Sequence, residues 1–251
     1  MAAGITGKIA LVTGASRGIG SATAIALARN GARRVNLQYN TFQEGAEATM
    51  AAIRAAGAET SAVQADLSGM DGIHSFLRAF DPRVDILVNN AGSLVKRARL
   101  LEFTEELYDQ VMNLNAKSAW MIAQAVAPHM IEKGAGVIVN LSSIAARNGG
   151  GLGATIYSAS KAAVSTITKG MARELAPKGI RVNAVSPCTV DNYFHQQFST
   201  REMLDAMLAQ TPAGRLGTNE QVADAIVFLC SDQSQFIYGQ TIEINGGMFM
   251  V

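Results

Sequence analysis

Short apolar segments alternate with longer amphipathic segments from one end of the chain to the other. The short segments predict seven strands, and the apolar residues of the longer segments recur at the spacing of a helix face. Such alternation is typical of a parallel sheet that is covered by helices on both faces. No linker or internal repeat interrupts the pattern. We therefore predict one α/β domain over residues 1–251, built on a doubly wound, seven-stranded parallel sheet.

The bounds of the predicted elements follow from this pattern and from the residues that end helices. The predicted strands are 9–12, 35–39, 61–65, 86–89, 137–141, 182–186 and 241–244. The predicted helices are 19–30, 43–56, 70–80, 105–132, 157–176 and 219–231. Gly31 and Gly57 stand where a left-handed residue commonly follows a helix. Residues 187–217 carry only a short helical pattern, and we expect 188–216 to form a mobile lid over the ligand.

Composition and charge exclude several classes of function. A net charge of +1 gives no electrostatic support for a nucleic-acid partner or for a role at a membrane surface. Cys188 and Cys230 have neither the spacing of a metal site nor that of a disulfide scaffold, and they fit a reducing compartment. Residues 1–7 lack the parts of a signal peptide, and no apolar run is long enough to cross a membrane. We expect a soluble, cytoplasmic protein without a metal site.

A Gly-rich turn with the sequence GASRGIG occupies residues 14–20, between the first predicted strand and the first predicted helix. Glycines allow a sharp turn and a close approach of the backbone to a pyrophosphate. The N-terminus of the following helix then offers free N–H groups and a partial positive charge. A purely structural turn also uses glycine, but the position between strand and helix favours a dinucleotide site.

The end of the second predicted strand indicates which dinucleotide binds. An acidic residue there would hydrogen-bond the ribose of NAD and repel a 2′-phosphate, but residues 38–41 include no acid. Arg17, in the Gly-rich turn, can pair with a phosphate through its guanidinium. These observations predict NADP(H). NAD(H) stays open because Arg17 can also be a solvated loop cation and because positions 40 and 41 lack a second basic residue.

Tyr157 and Lys161 are four residues apart and therefore share one face of a predicted helix. A tyrosine has an ordinary pKa near 10, and a neighbouring ammonium together with an oxidised nicotinamide would favour the phenolate. A pKa that is lowered toward neutrality makes tyrosine a better acid/base group. The spacing alone also fits a surface Tyr–Lys pair, so its interpretation depends on the surrounding motifs.

These motifs, in their order along the chain, resemble those of the short-chain dehydrogenase/reductase family. The first is the fingerprint Gly14-x-x-x-Gly18-x-Gly20. The further blocks are Asp66-Leu67, Asn89-Asn90-Ala91-Gly92, Asn115, Ser142-Ser143, Tyr157-Ser158-Ala159-Ser160-Lys161, Asn183-Ala184-Val185-Ser186-Pro187 and Asn245-Gly246-Gly247. The resemblance covers essentially the whole chain. It implies a single-domain Rossmann fold, a nicotinamide dinucleotide and hydride transfer.

The resemblance also implies roles for the catalytic residues. Tyr157 is expected to be the general acid/base, and Lys161 is expected to lower its pKa and to hold the nicotinamide ribose. Asn115 is expected to hold a water that links Lys161 to solvent. Ser143 is expected to hydrogen-bond the substrate oxygen, although it lies one residue further from Tyr157 than the family's usual serine; Ser142 is the second choice.

The implied cofactor contacts lie in the Gly-rich turn and after the strands. They are Gly14, Ser16, Arg17, Gly18, Ile19, Gly20, Tyr39, Asn40, Asp66, Leu67, Asn90, Ala91, Gly92, Tyr157, Lys161, Pro187 and Val190. Two positions depart from the family's pattern. Cys188 replaces a glycine beside the nicotinamide, and we expect a packed small side chain that narrows this approach, rather than a reactive thiol. Asn192 replaces a common threonine and can still donate to a carboxamide.

Substrate contacts are expected from the segments 93–100, 144–156 and 188–216. The first segment contains Lys96, Arg97 and Arg99, which can attract an anionic substrate or an acyl-carrier partner, or can be a solvated basic loop. The lid contains several aromatic residues, which suit a moderately apolar ligand. His195 in the lid can hydrogen-bond substrate, although a lone loop histidine is usually solvated.

We therefore expect an NADP(H)-dependent oxidoreductase that acts on a carbonyl or alcohol, such as a 3-oxoacyl thioester or a related ketone. One alternative is an NAD(H)-linked alcohol or sugar/polyol dehydrogenase. An alternative from another class is a non-catalytic, dinucleotide-binding regulator, because a fold does not fix function. Small residues over 159–170 and the apolar residues 248–251 suggest a homo-oligomer, and the family resemblance implies a homotetramer.

Overall fold

The computed structural model describes residues 4–250, and their strands form a single parallel sheet. The strands are β1 (Ile9–Val12), β2 (Arg34–Tyr39), β3 (Ala62–Gln64), β4 (Ile86–Asn89), β5 (Gly136–Leu141), β6 (Ile180–Pro187) and β7 (Thr241–Ile244). Their order across the sheet is β3-β2-β1-β4-β5-β6-β7. The predicted doubly wound Rossmann fold is confirmed; residues 1–3 and 251 of the predicted domain, including the end of the apolar segment 248–251, lie outside the described residues.

Helices connect the strands and cover both faces of the sheet. They are α1 (Gly18–Arg29), α2 (Gln43–Ala55), α3 (Met70–Ala79), α4 (Glu105–Met112), α5 (Ser118–Lys133), α6 (Ala145–Asn148), α7 (Thr155–Leu175), α8 (Tyr193–Phe198), α9 (Arg201–Ala209) and α10 (Asn219–Cys230). Gly31 and Gly57 have positive φ angles after α1 and α2, as the sequence predicts. Within the described residues, no helix combines the length and apolarity that crossing a membrane requires.

Two apolar clusters fill the space on either side of the sheet. On one face, Leu27 of α1 and Ile226 of α10 pack against the sheet. On the other face, Phe76 of α3, Val126 of α5 and Met171 of α7 form the second cluster. Because buried residues alternate between the two clusters along the strands, both faces of the sheet contribute to the core. This packing fixes the strands rigidly and therefore fixes the loops at their carboxyl ends.

The crossover between the two halves of the sheet positions the site. Strand β1 lies between β2 and β4, so the chain leaves the carboxyl ends of β1 and β4 in opposite directions. A crevice opens outside the carboxyl ends of strands at such a reversal. The Gly-rich turn follows β1, and residues 90–92 follow β4, so both of these motifs meet at the crevice.

Two predicted segments differ from the structure. The predicted helix 105–132 is divided into α4 and α5 by a π-helical turn, Asn113–Lys117, which inserts extra backbone and reorients Asn115. The predicted lid 188–216 contains two defined helices, α8 and α9. Their N-caps are Asn192 and Thr200, whose side chains accept hydrogen bonds from the N–H groups of Phe194 and Met203.

Candidate active site

A cavity of about 670 Å³ lies at the carboxyl ends of the strands and is covered by the lid. Most of the sequence-predicted site residues line it. They are Gly14, Ser16, Arg17, Gly18, Ile19, Gly20, Asn40, Leu67, Asn90, Ala91, Gly92, Ser143, Tyr157, Lys161, Pro187 and Val190. The cavity therefore joins the predicted nucleotide contacts to the predicted catalytic residues. Its volume lies within the range typical of cofactor and small-molecule sites.

Three of the predicted site residues do not line the cavity. Tyr39 follows Gln38 in β2, and successive side chains of a strand point to opposite faces, so Gln38 takes the place at the cavity. Asp66 is exposed, and its carboxylate accepts a hydrogen bond from the N–H of Ser68 at 2.9 Å. Asn115 is buried behind the cavity wall. The cofactor contacts of Tyr39 and Asp66 stay predictions, since both residues lie outside the cavity lining.

The Gly-rich turn is shaped for close approach of a ligand to its backbone. Gly14 and Gly18 have φ angles of +63° and +61°, which side chains with a Cβ rarely adopt. A Cβ on Gly20 would lie 2.4 Å from both the Nδ2 of Asn90 and the carbonyl oxygen of Gly14. Helix α1 begins after Arg17 without a side-chain cap and without an acid in its first turn. Its first N–H groups are therefore available to an anion.

Gln38 supports this turn, a role that the sequence analysis did not identify. Its Oε1 accepts a hydrogen bond from the N–H of Gly14 at 2.9 Å, and its Nε2 donates to the carbonyl of Ala65 at 2.8 Å. The residue is buried, so both amide groups are satisfied within the protein. The sequence offers no distinctive signal for this role, because β2 also contains the polar residues Arg34 and Asn36. The amide joins the turn after β1 to the end of β3.

Arg17 lies between two aromatic rings at the edge of the turn. Its guanidinium carbon is 4.1 Å from the ring centre of Phe42 and 4.0 Å from that of Tyr193. Phe42 precedes α2, whereas Tyr193 begins the lid helix α8. Both distances are within the range of cation–π attraction. The Gly-rich turn and the lid are thus in direct contact through one side chain.

At the other end of the cavity, Tyr157 and Lys161 stand on the first turns of α7. A side-chain hydrogen bond joins Ser143 to Tyr157. The ammonium of Lys161 lies 5.8 Å from the centre of the Tyr157 ring and donates to the carbonyl of Leu141 at 2.8 Å. Ser142 is buried in the packing of α7, where its hydroxyl hydrogen-bonds the carbonyl of Lys161 at 2.9 Å. The geometry therefore favours Ser143 over Ser142 as the serine that faces the reaction.

Burial moves the pKa values of both candidate catalytic groups. It raises the pKa of Tyr157 to about 12, against the opposing effect of the hydrogen bond from Ser143. It lowers the pKa of Lys161 to about 8. The sequence analysis expected the ammonium to lower the pKa of Tyr157, but here Lys161 is directed at a backbone carbonyl instead of the phenol oxygen. At neutral pH, Tyr157 therefore holds its proton and Lys161 is mostly charged.

Asn115 connects the π-helical turn to the loop after β4. Its Oδ1 accepts from the N–H of Ser93 at 3.1 Å, and its Nδ2 donates to the carbonyls of Ser93 and Val111, both at 2.8 Å. A Cβ on Gly92 would lie 2.7 Å from this Oδ1 and 2.9 Å from the Nζ of Lys161. Asn115 and Lys161 thus flank the same glycine, and the amide of Asn115 fixes the loop that follows it.

The basic loop 93–100 is not uniformly solvated. Lys96 and Arg99 are exposed, but Arg97 is partly buried and lines the cavity. The Nε of Arg97 donates to the carbonyl of Phe198 at 2.7 Å, and its Nη1 donates to that of Leu152 at 2.8 Å. Arg97 therefore ties the loop after β4 to the lid and to the loop before α7.

The lid side chains face the catalytic residues. The Phe194 ring lies 5.7 Å from that of Tyr157. His195 is partly buried and lines the cavity, with its Nδ1 at 3.0 Å from the hydroxyl of Ser199. Burial, with a smaller effect of the Arg97 charge, lowers the pKa of His195 to about 4. His195 is therefore neutral at physiological pH and is not the freely solvated residue that loop position alone suggested.

Cys188 and Asn192, the two departures from the family pattern, are held by local contacts. The sulfur of Cys188 lies 3.1 Å from that of Met248, at the cavity wall. This placement agrees with a packed small side chain. The Oδ1 of Asn192 caps α8, and its Nδ2 donates to Asn219 at 3.2 Å. One N–H of this amide is used by Asn219, and Asn192 lines the cavity, so its use toward a carboxamide stays a prediction.

The whole of this arrangement falls within a match to a known family. The family model described as enoyl-(acyl carrier protein) reductase matches residues 14–249. The chain belongs to the short-chain dehydrogenase/reductase family. The resemblance inferred from the ordered motifs is thereby confirmed, and with it an oxidoreductase class.

Curated members of the family match along almost their entire length. The 3-oxoacyl-[acyl-carrier-protein] reductase of Staphylococcus epidermidis is 40% identical over 246 residues, which are 97% of this chain and 99% of that protein. The protein of the same name from Escherichia coli is 38% identical over 245 residues, with 98% of each chain covered.

Solved structures of the family extend the comparison to sugar acids. A Beutenbergia cavernae protein described as an NAD(P)-dependent gluconate 5-dehydrogenase, with NADP bound at low occupancy, has a TM-score of 0.88 at 33% identity, covering 97% of each chain. An NADH-dependent reductase of alginate metabolism has a TM-score of 0.87 at 35% identity, covering 98% of this chain and 99% of that one. The fold is thus shared by relatives whose described cofactors differ.

Proposed function

We propose that this protein reduces a ketone to an alcohol, and catalyses the reverse oxidation, with NADP(H) as its cofactor and Tyr157 as the general acid/base. The observation that carries the proposal is the hydrogen-bonded pair of Ser143 and Tyr157, which shares one cavity with Lys161 and the uncapped N-terminus of α1. A non-catalytic regulator would not need a tyrosine, a lysine and a serine together on the substrate side of the nucleotide cavity.

The protein's part in the reaction is to position a carbonyl and to supply a proton. A nicotinamide dinucleotide held by the Gly-rich turn and Arg17 would supply the hydride for the carbonyl carbon. Ser143 and Tyr157 hydrogen-bond the carbonyl oxygen, where negative charge develops in the transition state. Tyr157 then transfers its phenolic proton to that oxygen, which completes the alcohol. The ammonium of Lys161 stabilises the phenolate that remains, and Phe194 excludes water from above the Tyr157 ring.

The cofactor assignment to NADP(H) depends on the charges beside β2. Arg17 presents a guanidinium at the edge of the cavity, and the neighbouring lining residues Gln38, Asn40 and Thr41 carry no negative charge. A 2′-phosphate would pair with Arg17 and would meet no acidic residue. The NADP described in the gluconate 5-dehydrogenase relative supports this assignment. NAD(H) is the second candidate, because another relative is described as NADH-dependent.

A substrate panel with both cofactors tests the proposal. The purified protein is supplied with NADPH or NADH and with ketones, 3-oxoacyl thioesters and keto sugars, and the nicotinamide absorbance is followed. The relatives described as 3-oxoacyl reductases make a 3-oxoacyl thioester one candidate substrate. We expect faster turnover with NADPH. Faster turnover with NADH would contradict the cofactor assignment, and no turnover of any carbonyl compound would contradict the function.

We also propose that the protein is a homotetramer. Large side chains are exposed on helices and loops away from the cavity: Tyr108, Trp120, Phe228 and Phe236 are all more than one-third accessible in the single chain. Such surface is more often covered in an assembly than left in water. Light scattering should report the mass of four chains, and a monomer would contradict the proposal. The expected cytoplasmic location stays a prediction.

A further inference from the structure

The charges that line the cavity are unbalanced. Its charged lining residues within the described part of the chain are three cations, Arg17, Arg97 and Lys161, and no aspartate or glutamate. Arg17 belongs to the nucleotide end and Lys161 to the catalytic pair. Arg97 has no role in the proposed hydride and proton transfer, although it lies on the wall of the same cavity. Its charge is therefore available to another part of the bound molecules.

The guanidinium of Arg97 is held in place without an ionic partner. Its two hydrogen bonds go to the backbone carbonyls of Phe198 and Leu152, and no ion pair involves it among the described residues. Burial lowers the pKa of Arg97, which reflects the cost of removing its charge from water. Arginine presents several donors in a planar fork, and two bonds to carbonyls leave further donors for a ligand. A carboxylate is the group that this fork pairs with best.

Arg97 and Tyr157 line the same cavity and contact the same lid helix. Phe194 contacts Tyr157, and the carbonyl of Phe198 accepts from Arg97. Phe194 and Phe198 both belong to α8, so this one lid helix lies against both Tyr157 and Arg97. A Cβ built on Gly151 would be 3.8 Å from the Nη1 of Arg97, so the glycine loop leaves room beside the guanidinium. An anionic group bound there would lie in the same cavity as the ketone.

We propose that Arg97 binds the carboxylate of the substrate and that the preferred substrate is a small oxo acid, with its ketone a few bonds from the carboxylate. The proposal deepens the proposed function and rests on it. A 3-oxoacyl thioester is uncharged around its ketone, so it would leave the Arg97 guanidinium unpaired in the cavity. Burial lowers the pKa of His195, the other titratable group beside Arg97, to about 4, so at physiological pH it is neutral and Arg97 carries the charge at this part of the cavity wall.

The test compares acids with their own methyl esters. The probes are 4-oxopentanoate, 5-oxohexanoate and the methyl ester of each, assayed with NADPH and wild-type protein, Arg97→Gln, Arg97→Lys and Lys96→Gln. Lys96→Gln is the matched control, because it removes a charge from the same loop at an exposed position outside the cavity. We expect kcat/KM to favour each acid over its ester. Arg97→Gln should lower kcat/KM for the acids by about tenfold or more, as expected for losing a charge-assisted pair, and should change it for the esters much less.

Arg97→Lys should recover part of the acid preference, and Lys96→Gln should retain it. If Arg97→Gln lowered kcat/KM equally for the acids and for their esters, Arg97 would only hold the lid in place. That result would overturn the proposal. A wild-type kcat/KM that is higher for the esters than for the acids would overturn the proposal about Arg97. So would a preference for a 3-oxoacyl thioester whose turnover is insensitive to Arg97→Gln. Either result would leave the proposed ketone reduction intact. Failure of every carbonyl compound to react would instead refute the function on which the proposal rests.

Discussion

The two ends of the cavity are built in different ways. The nucleotide end comes from a contiguous turn, in which Gly14 and Gly18 adopt left-handed backbone angles before an uncapped helix. The substrate end comes from distant parts of the chain, since Arg97 bonds to carbonyls 101 and 55 residues away, in Phe198 and Leu152. A local pattern therefore defines how the cofactor is bound. Dispersed contacts define which molecule can react with it.

The largest effect is expected where the two ends meet, at Tyr157. Tyr157→Phe keeps the ring in contact with Phe194 but removes the proton that completes the alcohol. We expect kcat for ketone reduction to fall by about 10²–10⁴, the usual contribution of general acid catalysis. The Kd for NADPH, measured by fluorescence titration, should change by less than about threefold, because the change is confined to one hydroxyl. A variant within tenfold of the wild-type rate would show that another group supplies the proton.

A Cβ in the Gly-rich turn should damage the nucleotide end selectively. In Gly20→Ala the new methyl would lie 2.4 Å from Asn90 and from the backbone of Gly14, so the turn must shift. Overpacking of this kind costs about 1–3 kcal/mol, and we expect the KM for NADPH to rise by about tenfold or more. The control is Gly69→Ala, where nothing lies within 4 Å of the added atom. If the KM for the ketone rose as much as that for NADPH, the two ends would not be separable.

The pH profile tests the substrate-side proton chemistry without a mutation. Burial lowers the pKa of Lys161 to about 8, so this residue is charged below that pH and loses its charge above it. Since the ammonium stabilises the phenolate left after proton transfer, kcat/KM for reduction should be level between about pH 6 and 7 and should fall several-fold above about pH 8. A profile that stays level to pH 10 would contradict this role of Lys161.

A smaller effect is expected at the contact that links the two ends. Tyr193→Leu removes one of the two rings around Arg17, whereas Tyr193→Phe keeps an aromatic ring there. Cation–π contacts at exposed sites contribute about 0.5–1 kcal/mol, so the leucine variant should raise the KM for NADPH by about two- to fivefold. Steady-state kinetics should show much less change for the phenylalanine variant. Equal effects of both substitutions would point to the lost hydroxyl instead of the lost ring.

The sequence predicts the fold and the nucleotide end because both depend on local patterns. Strand–helix alternation determines a parallel sheet, and the glycines of residues 14–20 determine a turn between a strand and a helix. The catalytic pair is predictable for the same reason, since Tyr157 and Lys161 share a helix face. The order of the motifs then indicates the family.

The remaining features depend on tertiary contacts that carry no local pattern. No glycine or proline marks the π-helical turn around Asn115, which interrupts a continuous helical periodicity. The raised pKa of Tyr157 follows from burial under the lid, and burial cannot be deduced from residue spacing. That Arg97 bonds to backbone carbonyls and not to an acidic side chain is known only from the folded structure, in which three separate segments meet. Specificity is therefore the property that the sequence predicts least.

Transfer of an isotopic label tests the central claim that this cavity reduces a carbonyl by hydride transfer. The enzyme is given NADPH with deuterium at the transferable position of C4 and a ketone that it turns over, and the product is analysed by mass spectrometry and NMR. One deuterium should appear on the carbon of the former carbonyl, and turnover should be faster with NADPH than with NADH. Oxidation of the cofactor without deuterium in an alcohol product would contradict the claim.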